Sequence, residues 1–142
     1  KHVTIKANGA LQNNIAFYNS NSSEIPKIFN SSIYVSGGIN AIGIQNEGAD
    51  IVIRDSDILA ESATTTTVGI IHAGSTAAKS EADNIRISAE TNAVQVNDGT
   101  IWFSGSKISG GINQTNPGTA VCMSVYEVSN NDISAYQLNC QR

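Results

Sequence analysis

Ile42-Gly43-Ile44-Gln45-Asn46 sets two apolar residues about one small one and closes with two polar ones, and the chain returns to this pattern at a nearly constant interval. The copies are Ile15-Ala16-Phe17-Tyr18-Asn19, Val68-Gly69-Ile70-Ile71-His72, Val94-Gln95-Val96-Asn97-Asp98 and Val121-Cys122-Met123-Ser124. In chain order their first residues lie 27, 26, 26 and 27 positions apart. No helical period of 3.6 runs between them. A repeat of this length, built of short strands, hides its apolar residues only by stacking on the next copy, which is the sequence signature of a solenoid.

A second line runs out of phase with the first: Ile28-Phe29-Asn30-Ser31-Ser32-Ile33, Ile53-Arg54-Asp55-Ser56-Asp57-Ile58 and Phe103-Ser104-Gly105-Ser106-Lys107-Ile108. Its spacings are 25 and 50, so one coil reads as abbreviated, with Ile85-Arg86-Ile87-Ser88 in place of its strand and Asn131-Asp132-Ile133 as a last degenerate copy. Each coil therefore carries at least two strands separated by Asn, Asp, Gly and Ser turns. Gly37-Gly38 and Gly110-Gly111 fall where the chain must turn a tight, positive-φ corner. The expectation is an all-β, right-handed parallel β-helix of about five coils, one domain over residues 1–142, with 126–142 as a C-terminal cap. The abrupt strand-like start at Lys1 suggests the C-terminal portion of a longer chain.

Charged residues make up only 14% of the chain, against 40% hydrophobic, so the surface must be neutral and polar, as in extracellular β-rich scaffolds. The net charge of −4, with no Lys or Arg cluster, removes the footprint of a nucleic-acid binder. No apolar run approaches the ~18 residues of a membrane span, and the first residues are not a signal peptide. Cys122 and Cys140 have neither CxxC spacing nor His neighbours; they read as one disulfide formed in an oxidising compartment, the alternative being two free thiols. A bridge between them would tie the tail back over the last coil. With Val121 and Met123 inward, alternation puts Cys122 outward.

The repeated "apolar-x-apolar-x-Asn/Asp-Ser-x-Ile" form, carried by Ser31 to Ile33, Ser56 to Ile58 and Ser106 to Ile108, together with the stretch Val121 to Cys140, resembles the pectin-lyase-like right-handed parallel β-helices, and within them a group of secreted bacterial repeat proteins. The resemblance implies that any catalysis would sit on one outer face, through an Arg base with Asp-bound calcium or through clustered Asp residues.

Asp55, Asp57 and Glu61, beside Arg54, are the acidic group in which two carboxylates could work as acid and base. However, Asp55 and Asp57 stand at the turn after a strand where other coils have Asn30 or Gly105, which points to turn stabilisation. Asp50, Asp55 and Asp57 would have to converge to hold calcium. No Arg-Lys pair is spaced to stack across one face. No catalytic residue, metal or cofactor is assigned. His72, whose counterparts are Asn46 and Asp98, reads as a solvated surface imidazole. Thr64-Thr65-Thr66-Thr67 is confined to one loop and forms no recurring ladder.

Trp102 carries the binding assignment. With Ile101 and Phe103 inward, the indole faces outward on a flat sheet, a platform for a sugar ring or a neighbouring subunit, and Arg86 is expected to flank it. The function expected is a noncatalytic secreted or cell-surface module, of adhesin, fibre or surface-filament type, binding a glycan or polysaccharide. Self-association through the uncapped N-terminal solenoid end is a further expected contact. The alternative is part of a polysaccharide lyase, hydrolase or tailspike-type depolymerase.

Overall fold

The computed structural model describes residues 2–115, 117–127, 136 and 137. The first three strands are β1 (Val3–Ala7), β2 (Asn13–Asn19) and β3 (Lys27–Phe29). The path then repeats through β4 (Ser31–Ser36), β5 (Asn40–Asn46) and β6 (Val52–Arg54), then β7 (Asp57–Glu61), β8 (Thr66–Ala73) and β9 (Lys79–Asp83). It continues as β10 (Arg86–Ala89), β11 (Asn92–Asp98) and β12 (Thr100–Ser104), then β13 (Lys107–Ser109), β14 (Ile112–Gln114) and β15 (Thr119–Met123). Two short strands, β16 (Tyr126–Glu127) and β17 (Tyr136–Gln137), follow.

Each passage places one strand in each of three sheets. Sheet A is ordered β1-β4-β7-β10-β13-β16-β17, sheet B β14-β11-β8-β5-β2 and sheet C β15-β12-β9-β6-β3. Every pairing is parallel except the last, where β17 runs antiparallel to β16. The molecule is thus a parallel β-solenoid, and the four inter-strand steps of sheets B and C make about four turns.

Three inward columns build the core. Sheet A contributes Ile5, Ile33, Ile58, Ile87 and Ile108 in register; sheet B contributes Phe17, Ile44, Ile70, Val94 and Ile112; sheet C contributes Ile28, Ile53, Ala82, Phe103 and Cys122. All belong to one apolar cluster. Each fully buried Ile or Phe contributes about 1.5–3 kcal/mol relative to exposure. Where sheet B passes close to sheet A the chain has only Gly43 and Gly69. A Cβ on Gly69 would stand 2.3 Å from Ile87 Cγ2 and 2.5 Å from the Ala93 carbonyl.

The corner from sheet C to sheet A is a stacked device. Asn30, Asp55, Asn84, Gly105 and Ser124 occupy it in successive coils, all with φ between 49° and 55°. Asn and Asp are the side-chain-bearing residues most tolerant of this left-handed region. The next residue points inward; Ser31 Oγ donates to the Phe29 carbonyl, and Ser56 and Ser106 each close two hydrogen bonds. Ser56 Oγ donates to the Arg54 carbonyl and accepts from the Ser31 amide; Ser106 Oγ donates to the Ser104 carbonyl and accepts from the Ile85 amide. This corner gives the physical meaning of the Asn/Asp-Ser-x-Ile motif.

Three expectations are corrected. Val121 is not the fifth member of the first line: it lies in sheet C beside Trp102, and Ile112 takes the sheet B place. The coil around Ile85 is not abbreviated, since Ala82-Asp83-Asn84-Ile85-Arg86-Ile87 supplies both strands and the corner. Cys122 is inward, in register with Phe103 and packed on the core. The proposed partner Cys140, the copy at Asn131-Asp132-Ile133 and most of the cap segment lie outside the described residues.

Gly69→Ala is expected to destabilise the protein by about 1–3 kcal/mol, the scale of overpacking a tight core, whereas Gly105→Asn should be nearly neutral because Asn84 and Asn30 hold the same corner. Urea unfolding of the two variants checks both; a neutral Gly69→Ala would mean that sheets A and B part readily.

Candidate binding face

Sheet C carries the single tryptophan of the chain. Its outward positions form registered columns: Lys27, Val52, Glu81, Trp102 and Val121 in one, of which Val121 is buried, and Phe29, Arg54, Asp83, Ser104 and Met123 in the next. Trp102 is 41% exposed, as alternation from buried Ile101 and Phe103 requires. It stands over an open hollow of about 370 Å³ shared with Arg54, Lys79, Glu81, Ala82, Asp83, Ser104 and Met123. Arg54 Nη2 meets Glu81 Oε2 at 3.2 Å, and Ser104 Oγ donates to Asp83 Oδ1. These exposed pairs contribute about 0–1 kcal/mol to stability; their consequence is to hold donors and acceptors upright beside an indole.

Arg86 does not flank Trp102. It lies on sheet A, exposed between buried Ile85 and Ile87, with Nε 3.9 Å from Asp57 Oδ1. The cation that shares the Trp102 hollow is Arg54. On sheet A, moreover, Arg86 and Lys107 are register neighbours, with Asp57 on the other side of Arg86. An Arg-Lys pair therefore does stack on one face, in a hollow of about 300 Å³ that also includes Asp55, Asn84 and Gly105. Asp55 has φ 49° and its carboxylate accepts a 2.7 Å hydrogen bond from Asn84 Nδ2, in keeping with a turn role. Glu61 accepts from the Tyr34 hydroxyl at 2.7 Å, and Glu47 from that of Tyr18 at 2.7 Å, so both tyrosines tie one coil to the next.

His72 is fully buried, which overturns its reading as a surface residue. It stands in register with Asn46 and, one coil further, Asn19. Asn19 Nδ2 donates to Asn46 Oδ1 at 2.7 Å; Asn46 Nδ2 donates to the Ala49 carbonyl at 2.9 Å and lies 3.1 Å from His72 Nδ1. Since Asn46 Nδ2 is a donor, His72 Nδ1 must accept, and the ring proton sits on Nε2. That atom has no hydrogen-bond partner among the described residues, and a Cβ on Gly99 would come within 3.0 Å of it. Burial holds the His72 pKa below its usual value, against an opposing pull from Asp50 and Asp98.

Among the described residues no three or more His, Cys, Asp or Glu side chains are grouped to hold a metal ion, and no helix is long and apolar enough to cross a membrane. No protein-family model, curated protein or solved structure matches this chain.

The His72 ladder makes stability pH-dependent in one direction. A histidine whose folded pKa lies below the unfolded value of about 6.5 contributes fully above that pH. The contribution is lost as pH falls from there through the folded value, because protonated Nδ1 would confront the Asn46 amide donor. Stability measured by urea unfolding is expected to drop between pH 7.5 and 5 in the wild type, and to drop less in His72→Asn. Equal pH profiles for the two proteins would exclude this role; the other histidine, His2, is exposed.

Proposed function

We propose that this chain is a noncatalytic, secreted or cell-surface module, a component of an adhesin, fibre or surface filament, that binds glycan through the outer face of sheet C. The observation that carries the reading is Trp102, a half-exposed indole on a rigid sheet above a hollow lined with upright polar side chains. An aromatic ring offers its flat face to the apolar face of a pyranose, while neighbouring carboxylates and guanidinium meet the hydroxyls. Low charge and an Asn-, Ser- and Thr-rich surface fit an extracellular setting.

The same reading includes a right-handed, pectin-lyase-like helix of five coils, a C-terminal cap and a Cys122–Cys140 bridge. The stacked Asn/Asp-Ser corner supports the first. Cys122 faces inward on the last strand of sheet C, so the bridge proposed from it would lie at the end of the core and not across an outer face. Stacking of another copy on the edges of β1, β2 and β3 that pair with no strand among the described residues is the self-association proposed.

A second reading, a polysaccharide lyase or hydrolase, is favoured by one observation: the registered Arg86 and Lys107 beside Asp57. Incubation with acidic and neutral polysaccharides separates the two. New reducing ends or unsaturated products that disappear in Arg86→Ala and Lys107→Ala would establish the enzyme.

For the binding module, a glycan array should give reproducible ligands, and Trp102→Ala should weaken them about 10-fold or more, the cost of losing an aromatic anchor. Unchanged binding by a folded Trp102→Ala protein would remove sheet C from consideration.

A further inference from the structure

Sheet C carries a second exposed aromatic ring. Phe29, on β3, is 42% exposed and heads the column that continues through Arg54 and Asp83. We infer, resting on the glycan reading above, that the ligand is an extended neutral oligosaccharide running obliquely up the coil stack, with Trp102 and Phe29 as its two platforms.

Geometry sets the size of the ligand. Three inter-strand steps separate β3 from β12, about 14 Å along the stacking axis, and the two rings are offset by two residues along the strand, about 7 Å more in the perpendicular direction. One sugar ring on Trp102 cannot reach Phe29. A chain of several rings can, because the path between them rises mainly along the axis and crosses no bulky side chain of a third aromatic residue. Besides Val52, it crosses the Arg54 and Glu81 ion pair and Asp83, which present donors and acceptors to ring hydroxyls.

Charge sets the class. The outward side chains of sheet C hold three cations, Lys27, Arg54 and Lys79, against two carboxylates, Glu81 and Asp83. Arg54 is already paired. A nearly balanced face gives no strong attraction to a polyanion and leaves a polycation opposed by lysines, whereas hydroxyls are served by both kinds of group. Stacking on two separated platforms makes affinity grow with chain length until both are covered, since the second contact is then intramolecular.

Calorimetric titration with neutral β-linked glucose, xylose and mannose oligomers, from disaccharide to hexasaccharide, tests this on the wild type, Phe29→Ala, Phe29→Tyr and Trp102→Ala, each checked for an unchanged melting temperature. For at least one series, affinity should rise about 10-fold or more from the shortest to the longest. Phe29→Ala should remove that gain, Phe29→Tyr should keep it, and Trp102→Ala should weaken every length. Length-independent affinity, or a Phe29→Ala protein that still gains with length, overturns the two-platform arrangement while Trp102-dependent binding keeps the glycan reading intact. Binding that ignores Trp102 overturns both, whereas no binding to any neutral series overturns the neutral-oligosaccharide inference and leaves the glycan reading to the array.

Discussion

The register of like upon like is the constraint from which the rest of this structure follows. An isoleucine in sheet A sits at strand spacing, about 4.8 Å, above the isoleucine of the previous coil, and the column Ile33, Ile58, Ile87 and Ile108 leaves none more than 2% exposed. A slip of one residue would turn the whole column outward. Because the next coil must begin where the last one began, the corners are bound by the same rule. Hence five successive residues between sheets C and A share one left-handed conformation, and the serines after them hydrogen-bond to the coil beside them rather than only to their own.

Register also decides what the outer surface can be. It sets Arg54 near Glu81 and Arg86 near Asp57, where opposite charges meet across strands, but it also sets Arg86 against Lys107, where like charges do. Like charges directly opposite are unfavourable, so that pair is a local cost, unlike the paired groups of sheet C. Inside, the same rule turns three separate polar residues into a ladder. Asn19, Asn46 and His72 are buried because each finds its partner on the neighbouring coil.

The period, the parallel stacking, the glycine corners and the outward Trp102 were legible because they recur or follow from alternation. What escaped had identifiable causes. Sheet A's inward positions are 25, 29 and 21 residues apart from Ile33 to Ile108; a long and a short coil summing to a regular double interval hid the strand of Ala82, whose small side chain carries little apolar signal. The last coil is shorter still, so a fixed frame of about 26 carried past Ile112 and landed on Val121 in another sheet. His72 reads as a surface residue because the interval of 26 sets it against Asp98 in the fourth coil. The register partner is Val96, an apolar residue that marks the column as internal. Arg86 and Trp102 look like neighbours in sequence because each stands between two inward apolar residues, and only the three-sheet path separates their faces.

The binding proposed for this solenoid face would take place under particular terms. Trp102 and Phe29 are carried by strands paired on both sides or stacked on the next coil, and their neighbours Ile101, Phe103 and Ile28 are locked in the core. Little side-chain or loop ordering is therefore required when a ligand arrives, which removes one of the main costs of association. The same rigidity prevents the face from closing around a small ligand: its hollow is open, and a single ring would bury only one side. Affinity on such a surface has to accumulate from several shallow contacts distributed along the ligand. A stack of near-identical coils supplies repeated positions at fixed spacing, and so the architecture that makes this chain readable as a repeat is also one on which the proposed repeating polymer would find matching contacts.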